Sequence, residues 1–399
     1  MKSDEIKNIS LFKKIILGIQ MLCVAFGAVV LVPLLVGIDP SIALFTAGCG
    51  TLIFHMITKK KVPIFLGSSF VFIAPVIKAI ELYGYPGALS GIMAVGVTYM
   101  LVSLIVRQKG IEFIQKIFPS VVIGPVIMII GLALAGVGVE MASSNWLLAG
   151  ISLLTAIFVT IFGKKTIKLL PVIFGIVAGY LTAIILNKIN FSPLINAPWF
   201  SLPAFSAPVF NFSAILFLVP VAIAPIIEHI GDIYAISKVA KKDFVKDPGI
   251  KRTLLGDGCA TFFSGMFGGT PVTTYSEVTG AITLTKITDP FILAIAAITA
   301  VILSFVGKMS GFLRTIPEAV LGGIMILLFG MITIVGIKTI IDSKVDLNKT
   351  KNMIIISVML ILGVGGAIIN FGGTFSLGSV ALSSVVGVLL NAILPEKEN

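Results

Sequence analysis

Long apolar segments alternate with short polar connections along most of the chain. About 20 consecutive apolar residues suffice for a helix to cross the hydrocarbon core of a bilayer, so a window of that length locates candidate spans. Fourteen are predicted, at 15–36, 40–57, 63–79, 86–106, 118–138, 146–163, 169–187, 212–236, 250–267, 270–285, 290–307, 315–337, 353–370 and 377–394. The pattern therefore predicts an all-α membrane protein with 14 transmembrane segments.

The polar start MKSDEIKNIS precedes an apolar run of about two dozen residues. The apolar core of a signal peptide is shorter, at roughly 7–15 residues. We therefore predict that this run is retained as the first span.

Composition excludes several other classes of protein. The chain is 57% hydrophobic and 12% charged, with a mean hydropathy of +1.12, whereas an ordinary soluble domain is about a quarter charged. Too few charges are present to cover a soluble protein of this size, which excludes a disordered chain, a secreted disulfide scaffold and a cytosolic enzyme. Cys23, Cys49 and Cys259 lie in apolar stretches without CxxC spacing, so we expect neither a disulfide nor a metal site.

Basic residues fall mainly on one side of the predicted topology. If the N-terminus is inside and the 14 spans alternate, 25 of the 29 Lys and Arg residues lie inside, and four lie outside: Lys78, Lys188, Lys308 and Arg314. Short cytoplasmic loops collect Lys and Arg, so we predict a multi-pass cell-membrane protein with both termini in the cytoplasm. The net charge of +11 is spread over many loops and not gathered in one patch, so no nucleic-acid partner is expected.

Two spans at matching positions are interrupted. Fourteen spans divide into seven and seven, which makes the third and tenth equivalent, and both carry Gly, Pro and small or β-branched residues, at 67–75 and 268–277. Pro removes a backbone donor and Gly disfavours helix, so we predict an extended entry into a half-helix in each. The two half-helix N-termini would then face each other across a cavity with free N–H groups. The alternative is that these are kinks that serve packing only.

Four carboxylates lie within apolar spans. They are Glu228, Asp232, Asp257 and Glu277. A charge at the bilayer centre costs about 2.5–3.5 kcal/mol, so such residues are functional-site candidates. Glu228 and Asp232 are four residues apart and share a helix face, where they could take up a proton or hold a cation. Two alternatives stay open: Asp232 could be interfacial, and Asp257 could pair with Arg252.

The sequence offers little catalytic equipment. His55 has no carboxylate or Cys partner in register, and His229 points about 100° away from Glu228 around a helix, so both are expected to be packed or hydrogen-bonded residues. There is no HExxH spacing and no Gly-rich phosphate loop. We therefore expect no enzyme activity, no cofactor and no metal.

Several strings resemble the nucleobase-cation symporters of the uracil and xanthine permease type. They are Glu-His-Ile-Gly at 228–231, Lys-Lys-Asp at 241–243, Asp-Pro-Gly at 247–249, Gly-Thr-Pro at 269–271 and Thr-Thr-Tyr at 273–275. A second family signature is met by Glu277, Gly280, Thr285 and Lys286, but Val278 replaces its Asn. The resemblance runs essentially end to end and is closest to the uracil permease branch.

The resemblance implies a seven-plus-seven inverted repeat with short strands in spans 3 and 10. A core domain would comprise 1–110 and 205–310, with spans 1–4 and 8–11. A gate domain would comprise 111–204 and 311–399, with spans 5–7 and 12–14. The family also implies a homodimer in the lipid bilayer.

It also implies a site for a nucleobase between the two strands. The substrate-binding residues carried over from the family comprise two carboxylates, two backbone N–H donors and two pocket-lining residues: Glu228 and Glu277, Phe70 and Ser276, and Ala28 and Tyr275. Cation coupling would fall to Glu228 and Asp232. The activity expected is import of uracil in symport with a cation, H⁺ being preferred.

Departures from the family pattern leave alternatives open. Glu277 favours uracil, since purine carriers more often have Gln there, but Ser276, Phe329 and Met21 replace a usual Gly, Tyr and His. Asp232 replaces a second His and would also suit Na⁺. The alternatives are therefore a purine or xanthine permease, a Na⁺-coupled carrier, an anion carrier of the same fold and a passive channel. The acidic ligand positions argue against the anion carrier.

Overall fold

Almost every apolar segment of the chain forms a helix. The computed structural model describes residues 10–110, 112–113, 117–164, 167–370 and 376–395. The side chains of residues 28, 276, 370 and 376 are outside this description. The α-helices of the first half are α1 (Leu11–Val24), α2 (Val32–Val36), α3 (Pro40–Ile57), α4 (Ile73–Lys109), α5 (Ser120–Ala133), α6 (Ala135–Ser143), α7 (Trp146–Phe162), α8 (Pro171–Ile185) and α9 (Ser192–Asn196). Those of the second half are α10 (Phe212–Leu218), α11 (Ile223–Ala240), α12 (Ile250–Phe267), α13 (Ser276–Thr285), α14 (Pro290–Ser304), α15 (Gly307–Leu313), α16 (Glu318–Asp342), α17 (Thr350–Val364) and α18 (Ser379–Ile393).

Short irregular helices and strands complete the described chain. π-Helical turns span Gly27–Leu31 and Val245–Gly249, and 3₁₀ turns span Phe70–Phe72, Ile167–Leu169 and Val219–Ala222. The strands are β1 (Leu66–Ser68), β2 (Val272–Thr274), β3 (Ile369–Asn370) and β4 (Ser376–Leu377). Strand β1 pairs with β2, and β3 pairs with β4, both antiparallel. Two of these strands thus lie in the segments predicted to be interrupted, whereas the β3–β4 pair was not predicted.

Five described helical segments are long and apolar enough to cross a membrane: 40–57, 70–109, 120–143, 212–240 and 318–342. A sixth is obtained if the segments Leu11–Val24 and Val29–Val36, bent by 59°, form one span. Five shorter apolar helices accompany them. The structure is therefore that of a mostly helical multi-pass membrane protein, and the count of 14 crossings stays a prediction.

Glycines explain where several helices break or end. Helix α4 contains the end of predicted span 3 and all of predicted span 4, separated at Gly84, which has φ 71° and non-helical geometry. Helix α17 ends at Val364, shorter than predicted, and Gly366 follows with φ 69°. Glycine adopts positive φ without the steric cost that other residues incur.

The larger helices pack in two sets. Helices α1, α3, α4, α10, α12 and α14 contact one another, and α5, α6, α7, α8, α16, α17 and α18 form the other set. Helix α11 packs against α12 and α13 and also contacts α5. The first set comes from the sequence ranges predicted as core and the second from those predicted as gate.

A polar contact joins the start of α3 to the segment that precedes α16. Asp39 caps α3 by accepting from the Ser41 N–H at 2.9 Å. Its other hydrogen bonds come from the Ser310 hydroxyl at 2.8 Å and the Arg314 guanidinium at 2.6 Å. Burial alone raises the pKa of Asp39, but the bonds from Ser41 and Ser310 and the charge of Arg314 hold that pKa below its usual value.

Close packing of α4 on α12 depends on Gly96. A Cβ at this position would lie 2.5 Å from the Phe262 backbone N and 2.7 Å from the Gly258 O. We expect Gly96→Ala to force the helices apart and to cost about 1–3 kcal/mol, as overpacking does. Thermal unfolding of the purified protein in detergent should show a lower Tm.

The matched control is Gly150→Ala in α7, where a Cβ would meet nothing within 4 Å. Ala is favoured over Gly in a helix by about 1 kcal/mol, so this variant should be unchanged or slightly more stable. Equal Tm changes for the two variants would contradict the packing argument.

Candidate functional site

Strands β1 and β2 join the two interrupted segments through main-chain hydrogen bonds. Leu66 pairs with Thr274, and Ser68 pairs with Val272. The Ser69 N–H extends the contact by donating to the Pro271 O at 2.9 Å. Because the pairing is antiparallel, the helices that follow the two strands start at opposite ends of this short ladder.

Hydroxyl side chains satisfy the outer edges of this two-stranded sheet. The Leu66 N–H donates to Thr51 Oγ1 at 2.9 Å. The Thr261 hydroxyl donates to the Val272 O at 2.6 Å. Backbone groups at membrane depth have no water to bond, so an unpaired sheet edge needs such partners. The small polar residues of α3 and α12 thus allow strands to exist inside a helical protein.

Two half-helix N-termini follow the strands. The Phe70–Phe72 turn leads into α4, and α13 begins at Ser276. The first N–H groups of a helix have no intrahelical acceptor and carry the positive end of its dipole. The rings of Phe70 and Tyr275 lie beside these termini, with centroids 6.2 Å apart and planes at 27°. The arrangement offers backbone donors next to a flat aromatic surface.

A cavity of about 890 Å³ opens in front of the strand pair. One wall comes from the interrupted segments and α11, and the other from the segment at 118–130 and from α16. Its lining includes Ser68, Ser69, Phe70, Val71, Phe118, Pro119, Ser120, Ile123, Glu228, Asp232, Tyr234, Thr273, Thr274, Tyr275, Glu277, Met331, Val335, Thr339 and Ser343. The size is within the usual range for sites that bind small molecules.

Three of the four intramembrane carboxylates face this one cavity. Glu228, Asp232 and Glu277 all line it, and no Lys, Arg or His from the described part of the chain does so. Glu277 lies well inside the protein, but its side chain is exposed to the cavity space. The cavity is therefore acidic, and a neutral ligand with N–H donors, or a cation, would suit it.

Asp232 is a cavity residue and not an interfacial one. It is 7% exposed, and its Oδ2 accepts from the Thr274 hydroxyl of β2 at 2.7 Å. This bond ties a carboxylate of α11 to the strand that leads into α13. The interfacial alternative considered for Asp232 is therefore wrong.

Asp257 lies behind β2 and faces His229. The distance from His229 Nδ1 to Asp257 Oδ2 is 2.9 Å, and both side chains are fully buried. His229 does not line the cavity. The alternative in which Asp257 pairs with Arg252 is thus wrong.

Some predicted site residues are only partly described. The side chains of Ala28 and Ser276 lie outside the part of the chain that the structure describes. The neighbouring Gly27 adjoins the site, since a Cβ there would lie 3.0 Å from the Tyr275 hydroxyl. Phe329 and Met21, at two of the positions that depart from the family pattern, are buried and do not line the cavity.

Sequence reasoning missed the polar residues on the strands themselves. Thr273 and Thr274 line the cavity and contact Asp257 and Asp232 respectively. Ser69 also lines it, with a buried hydroxyl that has no partner among the described residues. The many hydroxyl residues in both interrupted segments were the sequence signal that could have identified these cavity residues.

The bond between Thr274 and Asp232 gives a testable result. Thr274→Val keeps the side-chain shape and strand preference but removes the hydroxyl that donates to the carboxylate. Hydrogen bonds to charged groups contribute about 1.5–3 kcal/mol, so we expect the pH at which transport is half-maximal to shift by at least about one unit, or the rate to change at least about tenfold. Thr283→Val is the control, since that hydroxyl only bonds the Thr279 O within α13. Unaltered transport by Thr274→Val would show that this bond is irrelevant.

Helices of membrane-spanning length around a large, acidic, ligand-sized cavity define a membrane transport protein. Residues 12–371 match the Permease family of the xanthine and uracil permease type, and the chain belongs to that family. It is 47% identical to the probable uracil permease of Haemophilus influenzae, covering 98% of this chain and 97% of that protein. It is 42% identical to the uracil permease of Bacillus caldolyticus, covering 96% and 92%.

A likeness of fold extends to a more distant transporter. The transmembrane domain of the cyanobacterium bicarbonate transporter BicA superposes with a TM-score of 0.68, covering 96% of this chain and 97% of that one. The identity is 16%, so the likeness concerns the fold alone. The predicted family is confirmed, and the chain is a transport protein and not an enzyme.

Proposed function

We propose that this permease imports uracil across the cell membrane in symport with H⁺. The supporting observation is that Glu228 and Glu277 face one cavity, beside two paired interrupted segments that come from opposite halves of the chain. Relatives named as uracil permeases over nearly the full length support the choice of substrate.

Uracil complements the polar groups of the cavity. Its ring N–H groups donate to the carboxylates of Glu228 and Glu277, and its carbonyl oxygens accept from the backbone N–H groups of Phe70 and Ser276. Tyr275, with Ala28, encloses the flat ring. Each group left buried and unpaired would cost about 1–3 kcal/mol, so a ring that lacks one of these donors or acceptors binds more weakly.

The coupled cation is assigned to Glu228 and Asp232. They lie one helical turn apart on α11 and face the same acidic cavity. Two or three ionised carboxylates in such a site repel one another, and a proton bound at Glu228 or shared with Asp232 relieves this repulsion. Binding of the proton and binding of the substrate therefore favour each other.

Movement of the gate against the core carries the substrate across. The cavity lies between the two sets of helices, which correspond to the ranges 1–110 with 205–310 and 111–204 with 311–399. It extends toward Ser120 and Ser343, at the ends of α5 and α16 near the predicted cytoplasmic loops. The cavity is thus inward-facing in the proposed topology, in which both termini are cytoplasmic. The proposed assembly is a homodimer.

Uptake of radiolabelled uracil into proteoliposomes tests the proposal. An inward-directed proton gradient should drive accumulation, and a Na⁺ gradient alone should not. Uptake that follows only the Na⁺ gradient would establish the Na⁺-coupled alternative, and indifference to both gradients would refute symport.

Competition separates uracil from the other bases. An excess of unlabelled uracil should suppress uptake, whereas xanthine and adenine should not, because a Glu at position 277 favours uracil over the purines. Suppression by xanthine at lower concentration than by uracil would favour the purine carrier. Counterflow, in which unlabelled internal uracil accelerates entry of label, separates a carrier from a channel.

A further inference from the structure

A segment with a repeated apolar motif joins α9 to α10. The sequence from 189 to 227 contains no charged residue. Within it, proline recurs at every fifth position, at 193, 198, 203 and 208, and the last three of these prolines each begin the motif Pro-x-Phe. The motif ends at Phe200, Phe205 and Phe210. We call residues 197–211 the Pro-Phe linker.

The backbone of the Pro-Phe linker is bonded to the protein beneath it. The Ser201 N–H donates to the Phe305 O at 3.1 Å, at the end of α14. The Val209 N–H donates to the Pro86 O of α4 at 2.9 Å. The prolines have no N–H and therefore add no donor that needs a partner. A non-helical segment with its polar groups reduced and bonded in this way can lie where little water is available.

The side chains of the Pro-Phe linker divide into two groups. Phe205 packs edge-on against the rings of Phe45 and Phe267, with centroids 5.0 Å and 5.6 Å apart. The other large apolar side chains, together with the first residue of α10, are at least 60% exposed: Trp199, Phe200, Leu202, Val209, Phe210 and Phe212. Phe205 thus fixes the linker to the protein, and these six residues form its apolar outer face.

The neighbouring helices continue this apolar surface. Helix α8 ends with Ile185, which is 77% exposed, and α10 begins with Phe212, which is 62% exposed. Both helices belong to predicted membrane spans, so the linker lies at the level where two spans end. Segments rich in Trp, Phe and Leu at this level lie in the boundary between lipid head groups and acyl chains.

The surroundings of Trp199 fit such a boundary. The Lys308 amine lies 5.9 Å from the Trp199 ring and donates to the Leu194 O at 2.9 Å. A long basic side chain at a membrane boundary keeps its amine on the polar side while its stem covers apolar surface.

Two other environments fit the outer face less well. In water, six exposed large apolar residues in one short segment would be an unusual patch, since soluble monomers rarely expose more than a few hundred Å² of contiguous apolar surface. An interface with a second copy of the chain would carry about one hydrogen bond per 100–200 Å². The six residues offer a single polar side-chain group, the indole N–H of Trp199.

We propose that the Pro-Phe linker is a membrane anchor, with its outer face inserted at the boundary between head groups and acyl chains. The leaflet is the external one in the predicted topology, because the linker follows predicted span 7. Its backbone bonds and the contacts of Phe205 join it to α4, α3, α12 and the end of α14. The anchor therefore holds the first set of helices, and it involves neither the substrate nor the coupled cation.

Tryptophan fluorescence tests the position of the linker, because the chain has two tryptophans, Trp146 and Trp199. Trp146→Phe leaves Trp199 as the single probe, in protein reconstituted into phosphatidylcholine vesicles. Lipid brominated on the acyl chain near the glycerol should remove most of the Trp199 emission. Lipid brominated near the methyl end should remove less, because an interfacial apolar face is buried by only about 5–10 Å. Acrylamide in the water should have little effect.

The matched control is Leu347→Trp in a Trp146→Phe/Trp199→Phe protein. Leu347 is 52% exposed, but it lies in a loop beside charged Asp346. Acrylamide should quench this probe and brominated lipid should not. Quenching of Trp199 by acrylamide as strong as that of the control would place the linker in water and overturn the inference.

Quenching of Trp199 by neither reagent would also overturn it, since the outer face would then be covered by protein, such as a second copy. If Trp146→Phe does not fold, the difference between the wild type and Trp199→Phe in each brominated lipid gives the quenching of Trp199. A wild-type protein quenched no more than Trp199→Phe would again contradict the anchor.

Discussion

Uracil binding is expected to be lost when Glu277 is replaced by alanine. The substitution removes a carboxylate that faces the cavity next to the start of α13 and leaves one ring N–H without an acceptor. Hydrogen bonds to charged groups contribute about 1.5–3 kcal/mol, and the unpaired donor adds a desolvation cost, so affinity should fall at least a hundredfold. Binding of radiolabelled uracil to the purified protein and uptake into proteoliposomes should both fall below detection.

Glu318→Ala is the control for this experiment. Glu318 is also the acidic residue of a first helical turn, in α16, but it is exposed and does not line the cavity. That variant should bind and transport as the wild type does. Uptake by Glu277→Ala equal to that of Glu318→Ala would refute the assignment of Glu277 as a substrate ligand.

Replacement of Glu228 by glutamine should separate transport from its driving force. Gln keeps the length and an acceptor oxygen but carries no titratable proton, so it imitates the protonated carboxyl. We expect counterflow to persist while accumulation under a one-unit ΔpH falls about tenfold, the factor that one proton supplies. Both quantities are measured in the same proteoliposomes.

The exposed Glu140 of α6 provides the matched substitution, Glu140→Gln, which should leave accumulation unchanged. Accumulation to the wild-type ratio by Glu228→Gln would show that Glu228 does not carry the coupled proton. Loss of both counterflow and binding would mean that its charge is needed for the substrate itself.

Local sequence signals predicted helix positions well where glycine and proline mark the ends. The ninth predicted span, 250–267, coincides with α12, because Gly249 and Gly268 both adopt φ 91° at its limits. The twelfth was predicted too short, since α16 continues past Lys338 to Asp342. A lysine near the end of a span can extend its amine toward the interface, so the charge does not end the helix.

The sequence alone did not predict which residues of distant segments pair with each other. The interrupted spans were predicted from Gly, Pro and β-branched residues, but the register of Leu66 with Thr274 was not. His229 was expected to point away from Glu228, yet its partner Asp257 belongs to a different helix. The cavity wall formed by Ile123 and Met331 was also missed, because an apolar helix face that lines a cavity looks like one that faces lipid.

The cap of α3 has a consequence for import from acidic surroundings. Asp39 lies on the side predicted to be external, and its lowered pKa means that it keeps its charge when the medium is acid enough to drive protons inward. Its stabilising bonds to Ser310 and Arg314 are lost only as the pH falls through that lowered value. An acidic medium of the kind that would drive the proposed symport therefore leaves the contact of Asp39 with Arg314 charged and intact.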